Sequence, residues 1–381
     1  MLTRLLVGQG ADVHVVTTAS AERFVGTETF ASLTGNPVRA SLWEQPGVVV
    51  HVELARSADL AIVAPATADI IAKIANGLAD DLLTATLLEA RCPLIIAPAM
   101  HSGMWEHPAT RSNISRLEDR GVRLVGPVSG VLAAGDEGVG RMAEPADIVV
   151  AARAAIGPRD LAGVRVVVTA GPTQEPIDPV RFIGNRSSGK MGVAIAAEAA
   201  SRGAVVHLVL GPGAVRPPAG LSIEEVSTAE EMRAAVLTAF EDADAVVMAA
   251  AVADFRPKVS AEEKLKKEAG IPELHLEPTP DILRELGERK GNRILIGFAA
   301  ETQDLLEAGR RKLQAKHLDL IVVNRVGREG TGFGSDTNEA MLLTEDGSDG
   351  PLRMWTKLEL AAAICDRLVV ARAGPPSRSR P

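Results

Sequence analysis

At 381 residues the chain has room for two domains of roughly 150 residues each, and 46% hydrophobic with 24% charged residues is an ordinary globular composition. A net charge of −8, only 3% aromatic residues and no tyrosine argue against nucleic acid as a partner, since both phosphate-neutralising charge and stacking platforms are scarce. No apolar run reaches the ~18 residues of a membrane span and no signal peptide opens the chain, so no membrane partner is expected and the cytoplasm is the expected location.

Residues 1–8 read as an amphipathic helix and 12–17 as a strand. An α/β domain usually opens with a strand whose turn feeds the helix, so this order is unusual. From residue 60 the grammar becomes regular. Strands are predicted at 60–64, 93–97 and 122–125, and helices at 68–77, 80–90, 109–120 and 145–156. Short, nearly continuous apolar strands separated by helices indicate a parallel sheet covered on both faces. Gly157 to Gly163 reads as a linker, which sets a first domain at 1–157 and a second at 158–373. The Pro/Ser/Arg-rich tail, 374–381, is expected to be disordered. Cys92 and Cys365 lie far apart without metal-ligand spacing and are expected to pack as small apolar residues.

The second domain repeats the grammar, with strands at 164–169, 204–210, 244–249, 293–298 and 318–324. Thr228-Ala229-Glu230-Glu231 is a capping box for a helix to about residue 242. Further helices are predicted at 280–288, 302–316 and 358–372, and an antiparallel hairpin near 341–343 and 352–355. The stretch 165–191 organises this half. A strand, a proline-rich loop and then Ser187-Ser188-Gly189-Lys190 opening a helix form a place to hold phosphate. Gly184 to Met191 nearly spells the P-loop pattern. It fails because Met191 has no hydroxyl for magnesium, and because roughly a dozen residues separate it from its strand.

Three islands in the first half exceed what packing requires. They are His51 at a predicted strand-to-helix junction, Pro65-Ala66-Thr67-Ala68-Asp69 at a strand end, and Pro98-Ala99-Met100-His101-Ser102-Gly103-Met104-Trp105 at the next. Singly, each could be a surface histidine, a helix entry and core. In this order they resemble the flavin-dependent cysteine decarboxylases, which implies a flavodoxin-like domain that binds FMN. The resemblance makes His51 the acid/base residue, a role suited to a group titrating near neutrality. It places Thr67, Ala68, Pro98 and Met100 at the flavin and His101 at the substrate carboxylate. This sequence departs from the family at three points. His101 stands where the family carries asparagine, and Ala134 where its bifunctional members carry a proton-donating cysteine. The opening strand with its FMN-phosphate turn is missing, so Met1 is expected to be internal to a longer product.

The second half carries a denser set. Thr169-Ala170-Gly171-Pro172-Thr173, Asp178-Pro179-Val180-Arg181, Asn185 with Ser187 to Gly192, Ala249 to Arg256, Lys264-Leu265-Lys266-Lys267, Pro280-Asp281-Ile282-Leu283, Gly297 to Thr302 and Gly332 to Asn338 follow one another. These motifs resemble phosphopantothenate–cysteine ligase and imply a Rossmann-like α/β ligase domain with CTP as co-substrate and magnesium. By the resemblance, Asn185 holds an acyl-cytidylate, Arg181 and Ala251 bind substrate, and Lys264 steadies the triphosphate. Asp254, Pro280, Asp281, Ile282, Leu283, Phe298, Lys312 and Lys316 form the CTP site. Lys312 and Lys316, spaced i,i+4, could instead be a solvated helix face.

The expected protein is thus a bifunctional enzyme that ligates 4′-phosphopantothenate to cysteine and decarboxylates the product. The resemblance adds trimeric contacts in the first domain and dimeric ones in the second. A ligase with an inert first half competes with this reading. So does an NAD-type oxidoreductase, although Gly135, Gly138 and Gly140 do not fit the G-x-G-x-x-G register. A non-catalytic nucleotide sensor is the remaining alternative.

Overall fold

The computed structural model describes residues 1–43, 47–218, 220–266, 273–327, 335, 337–347 and 349–373. It divides into two units, Met1–Pro158 and Arg159–Pro381. The expected disordered tail lies outside the described residues, as do Lys267 and most of the Gly332 to Asp336 motif.

In the first unit β1 (Ala61–Ala66), β2 (Leu94–Pro98) and β3 (Arg123–Leu124) form a parallel sheet in that order. Ile95, Ile96 and Ala97 are fully buried in succession, as a strand covered on both faces requires. Helix Ala68–Asn76 follows β1. Thr67 caps its start by accepting from the Ile70 N–H, and Gly77 closes it in the left-handed region. Its Ile70 and Ile71 pack with Ile96, Ile114 and Leu117. After β3 come a hairpin, β4 (Val128–Val131) with β5 (Glu137–Arg141), and helix Pro145–Ile156.

Two expectations for this unit fail. Residues 12–17 do not form a strand; Val16 makes one isolated bridge to Arg39. The polar residues decide this, because Asp12 hydrogen-bonds His14 and Asn36 instead of entering a buried sheet. His51 is not at a strand-to-helix junction either. It sits in the first turn of helix Val50–Ser57, with Val49 as the N-cap and no strand immediately before it.

The second unit is built on an eight-stranded sheet. Its hairpins and strands are β6 (Arg165–Ala170), β7 (Gln174–Pro176), β8 (Phe182–Gly184), β9 (Val205–Leu210), β10 (Ser222–Glu225) and β11 (Ala245–Met248). Then follow β12 (Phe255–Pro257), β13 (Leu276–Pro278), β14 (Ile294–Glu301), β15 (Leu320–Arg325), β16 (Thr337–Thr344) and β17 (Arg353–Thr356). The sheet order is β10-β9-β6-β11-β14-β15-β16-β17, parallel through β15 and antiparallel beyond.

Strand alternation sorts the core into two layers. Val166, Val168, Ala245 and Val247 face Ile195 and Ile364, whereas Val167, Val246 and Met248 face Met232, Phe240 and Leu313. Cys365 lies in the first of these layers, where burial pushes its thiol up to about 12. The chain leaves β6 towards β9 and β10, then returns to β11 and proceeds towards β14 and β15. A crevice therefore opens between the carboxyl ends of β6 and β11. The capping box at Thr228 forms as expected. Helix Leu305–Ala315 starts later than expected because β14 runs on to Glu301, paired with Arg325, and Asp304 then turns with φ 48°. Among the described residues no helix is long and apolar enough to cross a membrane.

Candidate active sites

Helix Lys190–Ser201 approaches β6 at glycine distance. A Cβ on Gly192 would lie 2.5 Å from the Thr169 carbonyl oxygen and 2.5 Å from the Ala170 Cβ. Gly189, the N-cap, has φ 70°, and a Cβ there would meet the Ala214 Cβ at 2.7 Å. These two glycines set the helix start over the end of β6. Backbone N–H groups in the first turn of a helix point outward along its axis, the orientation that suits an anion.

Facing this helix start, the segment after β11 is cinched by buried threonines. The Thr169 hydroxyl accepts from the Ala250 N–H at 3.0 Å, and the Thr173 hydroxyl from the Ala253 N–H at 3.0 Å. Ala251 donates to the Gly171 carbonyl at 2.9 Å and accepts from the Thr173 N–H at 3.2 Å. Both threonines are fully buried. Small side chains at 249–253 let backbone line the crevice. That is a reason for the alanine run beyond tight packing.

The resulting cleft has a volume of about 540 Å³. Asn185, Ala251, Asp254, Pro280, Asp281, Ile282, Leu283, Phe298, Lys312 and Lys316 all line it. Asp281 caps helix Ile282–Glu288 and accepts from Lys316 Nζ at 2.8 Å, while Lys312 Nζ pairs with Glu301 at 2.7 Å. Lys316 is thus paired to an acidic residue of the cleft wall, Asp281, and Lys312 to Glu301 at the end of β14. Lys190 and Ser187 to Gly189 line the cleft as well.

Asn324, Asn338 and Lys357 were not singled out by sequence as a group, yet they form part of the same wall. Asn338 Nδ2 donates to Asn324 Oδ1 at 3.0 Å, and Lys357 Nζ donates to Asn338 Oδ1 at 2.7 Å. Both asparagines are buried. The signal of Asn324 in the sequence was a polar residue closing an apolar strand, Val322-Val323-Asn324, whereas Asn338 ends the Gly332 to Asn338 motif. Lys357 had none, being one lysine at the start of an ordinary helix.

Arg181 and Lys264 are not among the residues lining the cleft. Lys264 is exposed, and Arg181 is bound to Asp178 and to the Leu265 carbonyl. Among the described residues no cluster of three or more His, Cys, Asp or Glu side chains could hold a metal ion.

In the first unit Thr67, Ala68, Pro98 and Met100 come together at the ends of β1 and β2, where the Ala99 N–H donates to the Ala66 carbonyl at 2.9 Å. The β4–β5 hairpin presses on this loop, and the Met100 N–H donates to the Gly140 carbonyl at 2.9 Å. Glycine is required for the approach. A Cβ on Gly138 would fall 2.2 Å from Ser102 Oγ, and one on Gly140 would fall 2.1 Å from the Met100 oxygen. His101 Nε2 lies 2.9 Å from Asp136 Oδ2 on the hairpin tip, two residues beyond Ala134. The Ser102 hydroxyl is buried without a hydrogen-bond partner among the described residues. A capped helix start, a paired histidine and a buried hydroxyl at these strand ends are polar groups that fit the edge of a planar ring such as a flavin. His51 has no hydrogen bond or ion pair to these loops among the described residues.

The chain matches the flavoprotein family over residues 1–157 and the DNA/pantothenate metabolism flavoprotein C-terminal domain over 161–371. It is 47% identical to the coenzyme A biosynthesis bifunctional protein CoaBC of Bacillus subtilis (strain 168), covering 96% of this chain and 92% of that one. The protein of that name from Mycobacterium tuberculosis (strain H37Rv) is 46% identical, over 98% and 93% of the two chains. A cysteine/cysteine sulfinic acid decarboxylase from an unknown prokaryotic organism is 43% identical over 90% and 98%. A crystal structure of the C-terminal domain of a CoaBC protein aligns with a TM-score of 0.49 at 39% identity, covering 57% of this chain and all of that one. With both domain families in order along its length, the chain belongs to the family of bifunctional coenzyme A biosynthesis flavoproteins.

Proposed function

We propose that the second unit joins 4′-phosphopantothenate to cysteine at the expense of CTP, and that the first unit decarboxylates the product to 4′-phosphopantetheine. The observation that carries the ligase reading is the convergence of five separate segments, around residues 185–191, 249–254, 279–283, 298–300 and 312–316, on one cleft at the switch point of the sheet. In the first step a substrate carboxylate oxygen attacks the α-phosphorus of CTP, and the bond to pyrophosphate breaks. The amine of cysteine then attacks the acyl carbon, the C–O bond to CMP breaks, and the amine's proton passes to solvent. Both steps require polyanions to be held in line, which calls for donors and cations rather than a covalent nucleophile.

The first-turn amides of helix Lys190–Ser201 and the Lys190 ammonium would hold phosphate oxygens. Asn185, beside them, would hold the acyl-cytidylate, with the backbone at Ala251 and the Arg181 guanidinium on the substrate side. Asp254, the 280–283 turn, Phe298, Lys312 and Lys316 would seat the nucleotide, and Lys264 would meet the charge developing on the triphosphate. Magnesium would enter with CTP.

For the first unit, bound FMN would supply the reversible two-electron oxidation at the substrate's thiol-bearing carbon. Thr67, Ala68, Pro98 and Met100 would hold its ring. His51 would move the proton, and His101 would face the substrate carboxylate through Nδ1 because Nε2 is taken by Asp136. Ala134 carries no proton to donate, so the product carbon takes its proton from another acid or from water. A cytoplasmic homo-oligomer, trimeric through the first unit and dimeric through the second, completes the reading. Exposed Val180, Phe182 and Phe255 on the small hairpins are apolar surface for the second contact.

Purified protein is expected to release pyrophosphate continuously only when CTP, phosphopantothenate and cysteine are all present, and in no more than a single-turnover burst when cysteine is withheld, because the acyl-cytidylate forms before the amine attacks. Release without phosphopantothenate, continuous release without cysteine, or none with all three, would sink the ligase reading. Flavin absorbance together with carbon dioxide release from phosphopantothenoylcysteine checks the first unit separately; neither signal would leave a ligase with an inert first half.

A further inference from the structure

Asp178 is buried, and its carboxylate joins two segments far apart in sequence. Oδ1 accepts from the backbone N–H groups of Val180 and Arg181 at 2.9 and 2.8 Å. Oδ2 accepts from Arg181 Nε at 2.9 Å, from Arg181 Nη2, and from the Leu265 N–H at 3.1 Å. Arg181 Nη2 also donates to the Leu265 carbonyl at 2.7 Å. Leu265 is thus held by both of its backbone groups. A second strap, the Ala261 N–H to the Ile177 carbonyl at 2.9 Å, ties the same loop four residues earlier. Lys264 lies between the straps.

A local turn would need only Oδ1. The additional donors to Oδ2 belong to a guanidinium and to the distant loop, and the Arg181 hydrogen bonds chiefly hold this carboxyl well below the usual carboxylate range. The pair is charge-balanced, so it holds the loop without spending the charge of Lys264, which stays exposed. Arg181 also stands four residues before Asn185 of the cleft wall, so the loop is anchored to the segment that feeds the cleft.

We propose that Asp178 is a positioning residue: with Arg181 it latches the 261–266 loop and presents Lys264 to the phosphates of the bound nucleotide. The proposal rests on the reading of Lys264 as a phosphate-binding lysine. A loop ordered in advance does not lose that conformational freedom when the nucleotide binds, so the latch contributes affinity without a contact of its own.

The test uses the full-length protein carrying Asp178→Asn, Lys264→Ala, or both. The amide keeps the shape of the carboxylate but turns one acceptor into a donor facing other donors. Hydrogen exchange of peptides covering 259–266 is expected to accelerate in Asp178→Asn, with kcat/KM for CTP in pyrophosphate release falling by about tenfold. Adding Asp178→Asn to Lys264→Ala should cost nothing further. Equal losses in both backgrounds, or unchanged exchange, would overturn the latch. Should Lys264→Ala keep wild-type CTP kinetics, the presentation of Lys264 is wrong, and so is its phosphate-binding role. Absence of pyrophosphate release from the wild type defeats the ligase reading itself, while exchange still judges the latch. Arg181→Lys, which keeps the positive charge but removes the guanidinium fork that joins Asp178 to the Leu265 carbonyl, carries the hydrogen-exchange test if Asp178→Asn fails to fold by circular dichroism.

Discussion

Lys357 illustrates what a single side chain can conceal. It lies beyond the sheet in sequence, at the start of the last helix, yet its ammonium reaches Asn338 on the cleft wall and supports the buried asparagine pair. Replacing it by methionine takes a cation out of the cleft and leaves Asn338 Oδ1 short of this donor, a loss of about 1–3 kcal/mol for a buried group. Lys357→Met is therefore expected to melt several degrees lower and to show a raised KM for CTP or phosphopantothenate. A melting curve and initial rates check both effects; unchanged KM with lowered stability would assign Lys357 to structure alone. Residues 251, 254 and 281 were legible as cleft residues because they sit in motifs at strand ends or helix starts, and Lys316, at the end of a helix, only through the family resemblance. Asn324 and Lys357 were not, because their roles depend on β15, β16 and the last helix meeting across the fold.

At the scale of elements, the strongest local signals survived folding. The Thr228 capping box, the helix over Pro145–Ile156 and the buried valine strand at β6 all depend on near neighbours. The misjudged ends have tertiary causes. β14 was drawn out by pairing with β15, and 12–17 lacked the sheet partner that would have made it a strand. The seating of helix Lys190–Ser201 on β6 gives a sharper prediction. In Gly192→Ala the new Cβ meets backbone, which cannot swing aside, and overpacking of this kind costs about 1–3 kcal/mol. The variant is expected to lose thermal stability and, because the helix start moves off the cleft, to bind CTP more weakly. Wild-type CTP affinity in a destabilised variant would show that this helix start does not hold the phosphates.

For the whole molecule, each core cluster draws its residues from one unit, among the described residues. Residues 159–373 produced alone are expected to fold cooperatively and release pyrophosphate with CTP, phosphopantothenate and cysteine, with no flavin bound. An unfolded fragment would mean that the second unit needs the first. The sequence by itself determined the α/β class, the restart of the grammar near residue 158 and the order of the motifs that line the cleft, since these rest on local periodicity and on turn chemistry. Residues 165–191, which resembled a damaged P-loop, needed the tertiary structure to be understood. Only there does Gly189 set a helix start over β6, Asn185 face the alanine segment after β11, and Asp178 bind the Lys264 loop. Those are long-range contacts. They exist because the sheet reverses its strand order between β6 and β11, which brings distant loops to one crevice.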